Sequence, residues 1–340
     1  MRFHKHTLTA AVLAASALAQ LPAFAGATLI PAGSGGDLTT GPSFVSGTLI
    51  PNGSGLPDDG NVNIPMTYRG GAVMTGTVNA YIVWYGDWTT NPQYALAKTK
   101  LPEFFSSLTG SEYMNIGMTY DNGSGTPASS AVHYGGAVSL ATTTTSGTVS
   151  DAAVLSNVQA AVPSLNGGVA DPSGIYFLFT APGIRQQSDT VACGWHDSTG
   201  SGANSLKFSW VSPAPGCDFL SGTVAGSNEY VDSLTETTSH EMFEAITDPN
   251  VFNGNDAGWY NDTYGENGDM CVTSNFAGIL NGKTFDVQAI WARFANAQSG
   301  MCAKGFIPDA TAAVPEPSSW AMMLGGVAVL AGLVRRRRKG

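Results

Sequence analysis

Positive charge is scarce in this chain of 340 residues, which has 15 lysines and arginines against 25 aspartates and glutamates. Arg2, Lys5, Arg335 to Arg338 and Lys339 lie at the two ends, where Glu316 is the one acidic companion. What remains carries eight basic and twenty-four acidic residues, a formal charge of −16. That balance lacks the basic footprint phosphate backbones require, so it excludes nucleic acid as a partner and suits an extracellular surface or cation binding. Neither a Walker phosphate loop nor a Gly-x-Ser-x-Gly nucleophile elbow is present, which argues against P-loop nucleotide hydrolysis and the serine chemistry of α/β-hydrolases. Histidine is rare as well: away from the extreme N-terminus there are only His133, His196 and His240.

The ends are built differently from the middle. Basic residues Arg2 and Lys5, an apolar stretch from Leu8 to about Leu21 and the small-x-small ending Ala23-Phe24-Ala25 are the three parts of a secretory signal peptide, placing it at 1–25. At the other end Pro315-Glu316-Pro317 precedes an apolar run over 320–334 and a terminal arginine cluster. This order resembles the PEP-CTERM sorting signal of bacteria, here 315–340, and the resemblance implies cleavage by an exosortase-type membrane enzyme. The basic cluster favours the cytoplasmic side, and the apolar run is short for a permanent span, so a transient anchor is expected. Export also bears on the four cysteines, Cys193, Cys217, Cys271 and Cys302. An even count in an oxidising compartment favours disulfides; three connectivities exist, and sequence order suggests Cys193 with Cys217 and Cys271 with Cys302.

Residues 26–69 read as a Gly/Pro/Ser-rich linker in which Thr28-Leu29-Ile30-Pro31 is echoed by Thr48-Leu49-Ile50-Pro51; 305–314 reads as a spacer. Between them, over 70–304, strand-like and helix-like patterns alternate. Val78 to Tyr85, Ser130 to Leu140 and Gly174 to Thr180 are strand-like, whereas Pro92 to Leu108, Asp151 to Val162 and Tyr230 to Thr247 have helical spacing. Phe285 to Phe294 reads as the final strand. This alternation predicts a single α/β domain with a mixed, partly parallel sheet and a disulfide-stapled second half.

The chemistry is concentrated in Ser239-His240-Glu241-Met242-Phe243-Glu244. On a helix His240 and Glu244 stand one turn apart on one face, flanked by Glu241 and Asp248, with Met242, Phe243 and Ile246 turned to the core. In zinc peptidases a His-Glu-x-x-His helix supplies two ligands, and the intervening Glu is the general base. Here the second ligand is Glu244, giving a zincin-like His-Glu-x-x-Glu helix. A third ligand is available from the loop Gly265-Glu266-Asn267-Gly268-Asp269, as Glu266 or Asp269, with Glu241 left as catalytic base. His196, in Cys193-Gly194-Trp195-His196, is a further imidazole. Zn2+ is the ion this pattern suggests. Ca2+ is the alternative, because Asp248, Asp256, Asp262, Glu266 and Asp269 offer the oxygen ligands hard cations prefer, although not with EF-hand spacing.

Several ordered patches carry a wider resemblance: Gly71-Ala72-Val73-Met74-Thr75-Gly76 before Ile82-Val83-Trp84-Tyr85-Gly86, then Gly174 to Thr180, Cys193-Gly194-Trp195-His196, Ser239-His240-Glu241 with Glu244, Gly268-Asp269-Met270-Cys271, and Val287-Gln288-Ala289-Ile290-Trp291 before Cys302. In this order, from about Gly70 to Cys302, the chain resembles the phosphate-induced protein 1, or EXORDIUM-like, family. The resemblance implies extracellular or wall-associated placement and no established reaction; exopolysaccharide or cell-wall matrix is the partner expected of such a surface protein. Two functions follow for the structure to weigh: a cell-surface protein with a divalent-metal site, and a zincin-like hydrolase or peptidase.

Overall fold

The apolar run Ile175-Tyr176-Phe177-Leu178-Phe179 lies at the centre of the fold in a computed structural model that describes residues 63–187, 192–200, 205–213, 217, 222–251, 256–294 and 299–308, with the backbone of Gly47–Pro51. In chain order the strands are β1 (Gly47–Pro51), β2 (Thr67–Tyr68), β3 (Thr77–Tyr85), β4 (Ala131–Ser139), β5 (Gly147–Val149), β6 (Gly174–Thr180) and β7 (Ile184–Gln186). They continue as β8 (Gly194–Thr199), β9 (Leu206–Val211), β10 (Trp259–Tyr260), β11 (Asn275–Leu280), β12 (Lys283–Gln288), β13 (Ile290–Arg293) and β14 (Gly300–Pro308). The α-helices among the described residues are α1 (Pro92–Leu108), α2 (Asp151–Ala161) and α3 (Glu229–Thr247).

The main sheet has five strands in the order β4-β3-β6-β9-β8. All neighbours are parallel except β8, which runs antiparallel to β9 at one edge. β6, in the middle, is buried at every position, as expected of a parallel strand covered on both faces, and its sequence is accordingly apolar without alternation. This is the mixed, partly parallel α/β architecture the alternating pattern implies.

Local sequence explains where the helices start. The side chains of Asn91, Ser150 and Asn228 accept the backbone N–H of Gln93, Ala153 and Val231 at the N-termini of α1, α2 and α3, satisfying donors that have no partner inside a helix. α3 stops before Asp248-Pro249, since proline cannot donate and disfavours helical geometry in the residue ahead of it. α1 packs on α3, and α3 lies against β8, β9 and β12. Enclosed in this way, α3 is buried at every residue from Val231 to Thr247, so its polar flank is interior as well as its apolar one.

Other parts differ from the sequence reading. The expected final strand is two strands, β12 and β13, interrupted at Ala289, whose N–H bonds to the Ser274 carbonyl instead of a neighbouring strand. A further strand, β14, follows and pairs with both β1 and β13. Part of the stretch read as linker is therefore ordered: β1 takes its edge on β14, β2 pairs with β10, and Ile64 and Met66 enter the core. β14 likewise includes the first residues of the stretch read as spacer. The expected signal peptide over 1–25 and the apolar run over 320–334 lie outside the described residues; among those described, no helix is long and apolar enough to cross a membrane.

Both disulfides follow sequence order, Cys193 with Cys217 and Cys271 with Cys302. Each fixes a segment that carries a candidate ligand, His196 in one case and Asp269 in the other. Cys193 immediately precedes β8, and Cys271 closes the 3-10 turn Asp269–Cys271.

Candidate metal centre

Strand periodicity turns Gly194 and His196 to the same side of β8, towards α3. A Cβ at Gly194 would fall 2.6 Å from Thr237 Cγ2 and 2.8 Å from Glu241 Oε1, so the missing side chain is what lets the helix approach this closely. His196 then meets Glu241 and Glu244, its Nδ1 lying 3.4 Å from Glu241 Oε2 and 3.6 Å from Glu244 Oε2. One turn of α3 separates Glu244 from His240, and His240 Nε2 lies 3.0 Å from Glu244 Oε1.

The loop after β10 closes over the helix from the other side. Gly268 makes this possible, since a Cβ there would stand 2.7 Å from Glu244 Oε1 and 2.8 Å from His240 Nδ1. Asp269 thereby donates its backbone N–H to Glu244 Oε1 at 3.1 Å and places Oδ1 3.8 Å from His240 Nε2. Glu266 comes in beside His196, with Oε1 3.6 Å from Nε2. The helix and the distant acidic turn therefore meet, in a contact buried at Glu244 and Glu266 and partly exposed at Asp269.

The hydrogen bonds define how each imidazole is held. Gln288 donates from Nε2 to the Gly268 carbonyl at 2.7 Å, which orients its amide oxygen towards His240 Nδ1 at 3.0 Å. Nδ1–H of His240 is thus the donor, and its Nε2 lone pair faces Glu244 and Asp269. His196 Nε2 lies 3.2 Å from the Asp248 carbonyl, so that nitrogen donates and the Nδ1 lone pair faces Glu241 and Glu244. Metal-binding histidines are held in this way, with one ring N–H given to a fixed oxygen and the other nitrogen free to ligate.

Among the described residues, two groups of three have ligand atoms all within 4.8 Å of one another: His196, Glu241 and Glu244, and His240, Glu244 and Asp269. Glu241, Glu244, Asp248, Glu266 and Asp269 gather five carboxyl groups here, and among the described residues no lysine or arginine pairs with any of them. Asp248 Oδ2 and Glu266 Oε1 are buried without a hydrogen bond among those residues. Burial pushes Asp269 and Asp248 up to about 7 and raises Glu266 and Glu241 too. For Glu244, burial works upward, but His240 and His196 outweigh it and hold the carboxyl at about 2. Burial would lower His240, yet Glu244, Glu241 and Asp269 carry it up to about 10. His196 is raised well above its usual value against the same burial by Glu266, Glu241 and Glu244. Without a cation, then, the charge is offset by protons, the usual response of carboxylates deprived of water.

Of the candidate ligands, His240, Glu244 and Asp269 fall in one group, whereas Glu266 stands against His196 outside both. Two acids considered for calcium lie elsewhere: Asp262 pairs with Arg69 while largely exposed, and Asp256 accepts a bond from Asn250. His133 sits on β4, bonded to Asn79. Gln288 did not stand out in sequence, where nothing marks a lone glutamine at a strand end. A pocket with room for about one water opens beside Glu241 and His240, lined also by Cys193, Glu236, Thr237 and Gln288.

Residues 66–218 match the family model described as phosphate-induced protein 1 conserved region. The chain carries that conserved region. Residues 313–339 match the PEP-CTERM protein-sorting motif, which implies export and processing by an exosortase. No curated protein and no solved structure matches the chain. The phosphate-induced protein 1 region includes His196 and the Cys193–Cys217 disulfide, while α3 and the Glu266 to Asp269 loop lie beyond it.

Proposed function

We propose that this is an exported protein of the cell surface or exopolysaccharide matrix whose ectodomain binds a divalent cation through His240, Glu244 and Asp269, with Gln288 orienting His240. One observation carries the reading: a buried imidazole nitrogen faces the buried Glu244 and the partly exposed Asp269, which among the described residues have no lysine or arginine to balance them. Uncompensated carboxylates are too costly to keep ionised in a protein interior, and a cation is the partner that imidazole and carboxylate donors share. The sorting motif and two disulfides support the exported setting. Elemental analysis of protein purified without chelator tests the site: a stoichiometric divalent metal supports it, and a metal-free protein that takes up neither Zn2+ nor Mn2+ overturns it.

A zincin-like hydrolase is the second reading, and the pocket beside Glu241 favours it, because a water there is within reach of that carboxylate as general base. A raised Glu241 carboxyl suits such a role. A peptide-hydrolysis screen comparing wild type with Glu241→Gln separates the two: turnover lost in the variant supports the hydrolase, and no turnover in either leaves the binding protein.

A further inference from the structure

The two ligand groups share one residue. Glu244 presents Oε1 to His240 and Oε2 to His196, and each imidazole has a second carboxylate beside it, Asp269 for His240 and Glu241 for His196. We propose that the cluster is a two-ion centre in which the Glu244 carboxylate bridges one divalent cation held by His240 and Asp269 and a second held by His196 and Glu241. This rests on the metal-site reading above and deepens it.

Geometry argues against a single ion serving both histidines. Donors on one Zn2+ or similar ion are about 2.0–2.2 Å from it, so no two can be more than roughly 4.4 Å apart. Among the described residues, no group with donors within 4.8 Å contains both imidazoles. Each ring nevertheless gives one N–H to a carbonyl oxygen, of Gln288 or Asp248, and turns its remaining lone pair to a different oxygen of Glu244. Without a cation, only a proton on each of these nitrogens stands between the ring and the carboxylate oxygens, and a metal ion takes the place of that proton.

Charge leads to the same result. With neutral imidazoles and every carboxylate ionised, the four buried carboxylates and the partly exposed Asp269 around one divalent ion leave three negative charges, whereas two ions leave one. Glu266, 6% exposed and with Oε1 accepting no hydrogen bond among the described residues, stands against the donor side of His196. A carboxylate in that position strengthens an imidazole as a ligand through its other nitrogen. All four cysteines are in disulfides, so the donors are nitrogen and oxygen alone, a set suited to Zn2+, Mn2+ or Fe2+ rather than to soft ions. The assignment makes Glu241 a ligand instead of a free base, which distinguishes it from the hydrolase reading.

The test is to strip the purified protein with chelator, reload it with Mn2+ and measure bound metal together with the electron paramagnetic resonance spectrum. Two Mn2+ per chain with an exchange-coupled spectrum are expected. His196→Gln and Glu241→Gln should each hold one uncoupled ion, and Glu244→Gln should lose at least tenfold in affinity for both. One ion in wild type, unchanged in His196→Gln, overturns the two-ion centre and keeps the metal site. No uptake by wild type overturns both. Because the wild-type count and coupling decide the matter alone, a variant that fails to fold does not protect the proposal.

Discussion

Gly268→Ala is the most informative single change. The glycine has φ −73° and ψ −46°, ordinary helical values that alanine adopts freely, so the substitution adds a methyl group without backbone strain. That methyl carbon would stand 2.7 Å from Glu244 Oε1 and 2.8 Å from His240 Nδ1. Ordinary carbon–oxygen contact is several tenths of an ångström longer, so the loop must withdraw by roughly 0.5 Å. The bond from Asp269 N–H to Glu244, now 3.1 Å, would then be lost or badly weakened. Overpacking costs about 1–3 kcal/mol and loss of a hydrogen bond to a charged group about 1.5–3 kcal/mol, so destabilisation of about 2–4 kcal/mol is expected once partial relaxation is allowed. In a domain of this size that lowers Tm by roughly 5–15 °C. Because Asp269 moves with the loop, metal affinity should fall about 10–100-fold, as it does when groups supporting a ligand are displaced. Calorimetric melting and titration with Zn2+ or Mn2+ read both effects. Gly222→Ala is the control, since nothing lies within 4 Å of its Cβ position. If Gly268→Ala melts and binds metal like Gly222→Ala, the close contact between loop and helix is wrong.

The remaining predictions concern pH, the disulfides and Glu241. Asp248 and Asp269 titrate at about 7 in the folded state against about 3.9 when unfolded, so the folded chain holds more protons over that window and metal-free protein loses stability as pH rises from about 4 to 7. His240 extends the trend, since the stability from its carboxylate partners is complete below about pH 6.5 and lost as pH climbs to about 10. Chelator-treated protein should therefore show a falling Tm from pH 5 to 8 while metal-loaded protein does not; a rising Tm in the stripped protein contradicts the buried cluster. Replacing both Cys271 and Cys302, 31 residues apart, by serine should cost about 3–4 kcal/mol, seen as a Tm drop near 10 °C, and should weaken metal binding because the turn carrying Asp269 loses its anchor. Glu241→Gln removes a negative charge from an anionic interior, so metal-free variant should melt no lower than metal-free wild type; a marked loss of stability would mean Glu241 serves mainly to hold His196.

How much could be read in the sequence varied with how local the signal was. The limits of α1 and β6 were visible because helical spacing of apolar residues runs from Pro92 to Leu108 in the one and an unbroken apolar run makes the other. The pairing of His240 with Glu244 followed from helical spacing, and the Glu266 to Asp269 loop was marked by its density of acids and glycine. β8 and β9 were not visible: Gly-Trp-His-Asp-Ser-Thr has no hydrophobic alternation, and its place at the sheet edge is set by antiparallel pairing with β9. His196 stood out only as an available imidazole, and Glu266 as an alternative ligand; that the two face each other depends on the β10 loop crossing to β8, which no spacing encodes. The enclosure of α3 was equally hidden, because Thr, Ser and Glu on its polar side resemble a solvated face until β8 and β12 are placed against it.

X-ray absorption at the zinc edge of Zn2+-loaded protein addresses the central claim most directly. A shell of nitrogen and oxygen ligands at about 2.0–2.1 Å, with the outer scattering of imidazole rings and no sulfur, is the result expected from His196, His240 and their carboxylates. A purely oxygen shell without imidazole scattering would place the ion elsewhere on the acidic surface and contradict the account.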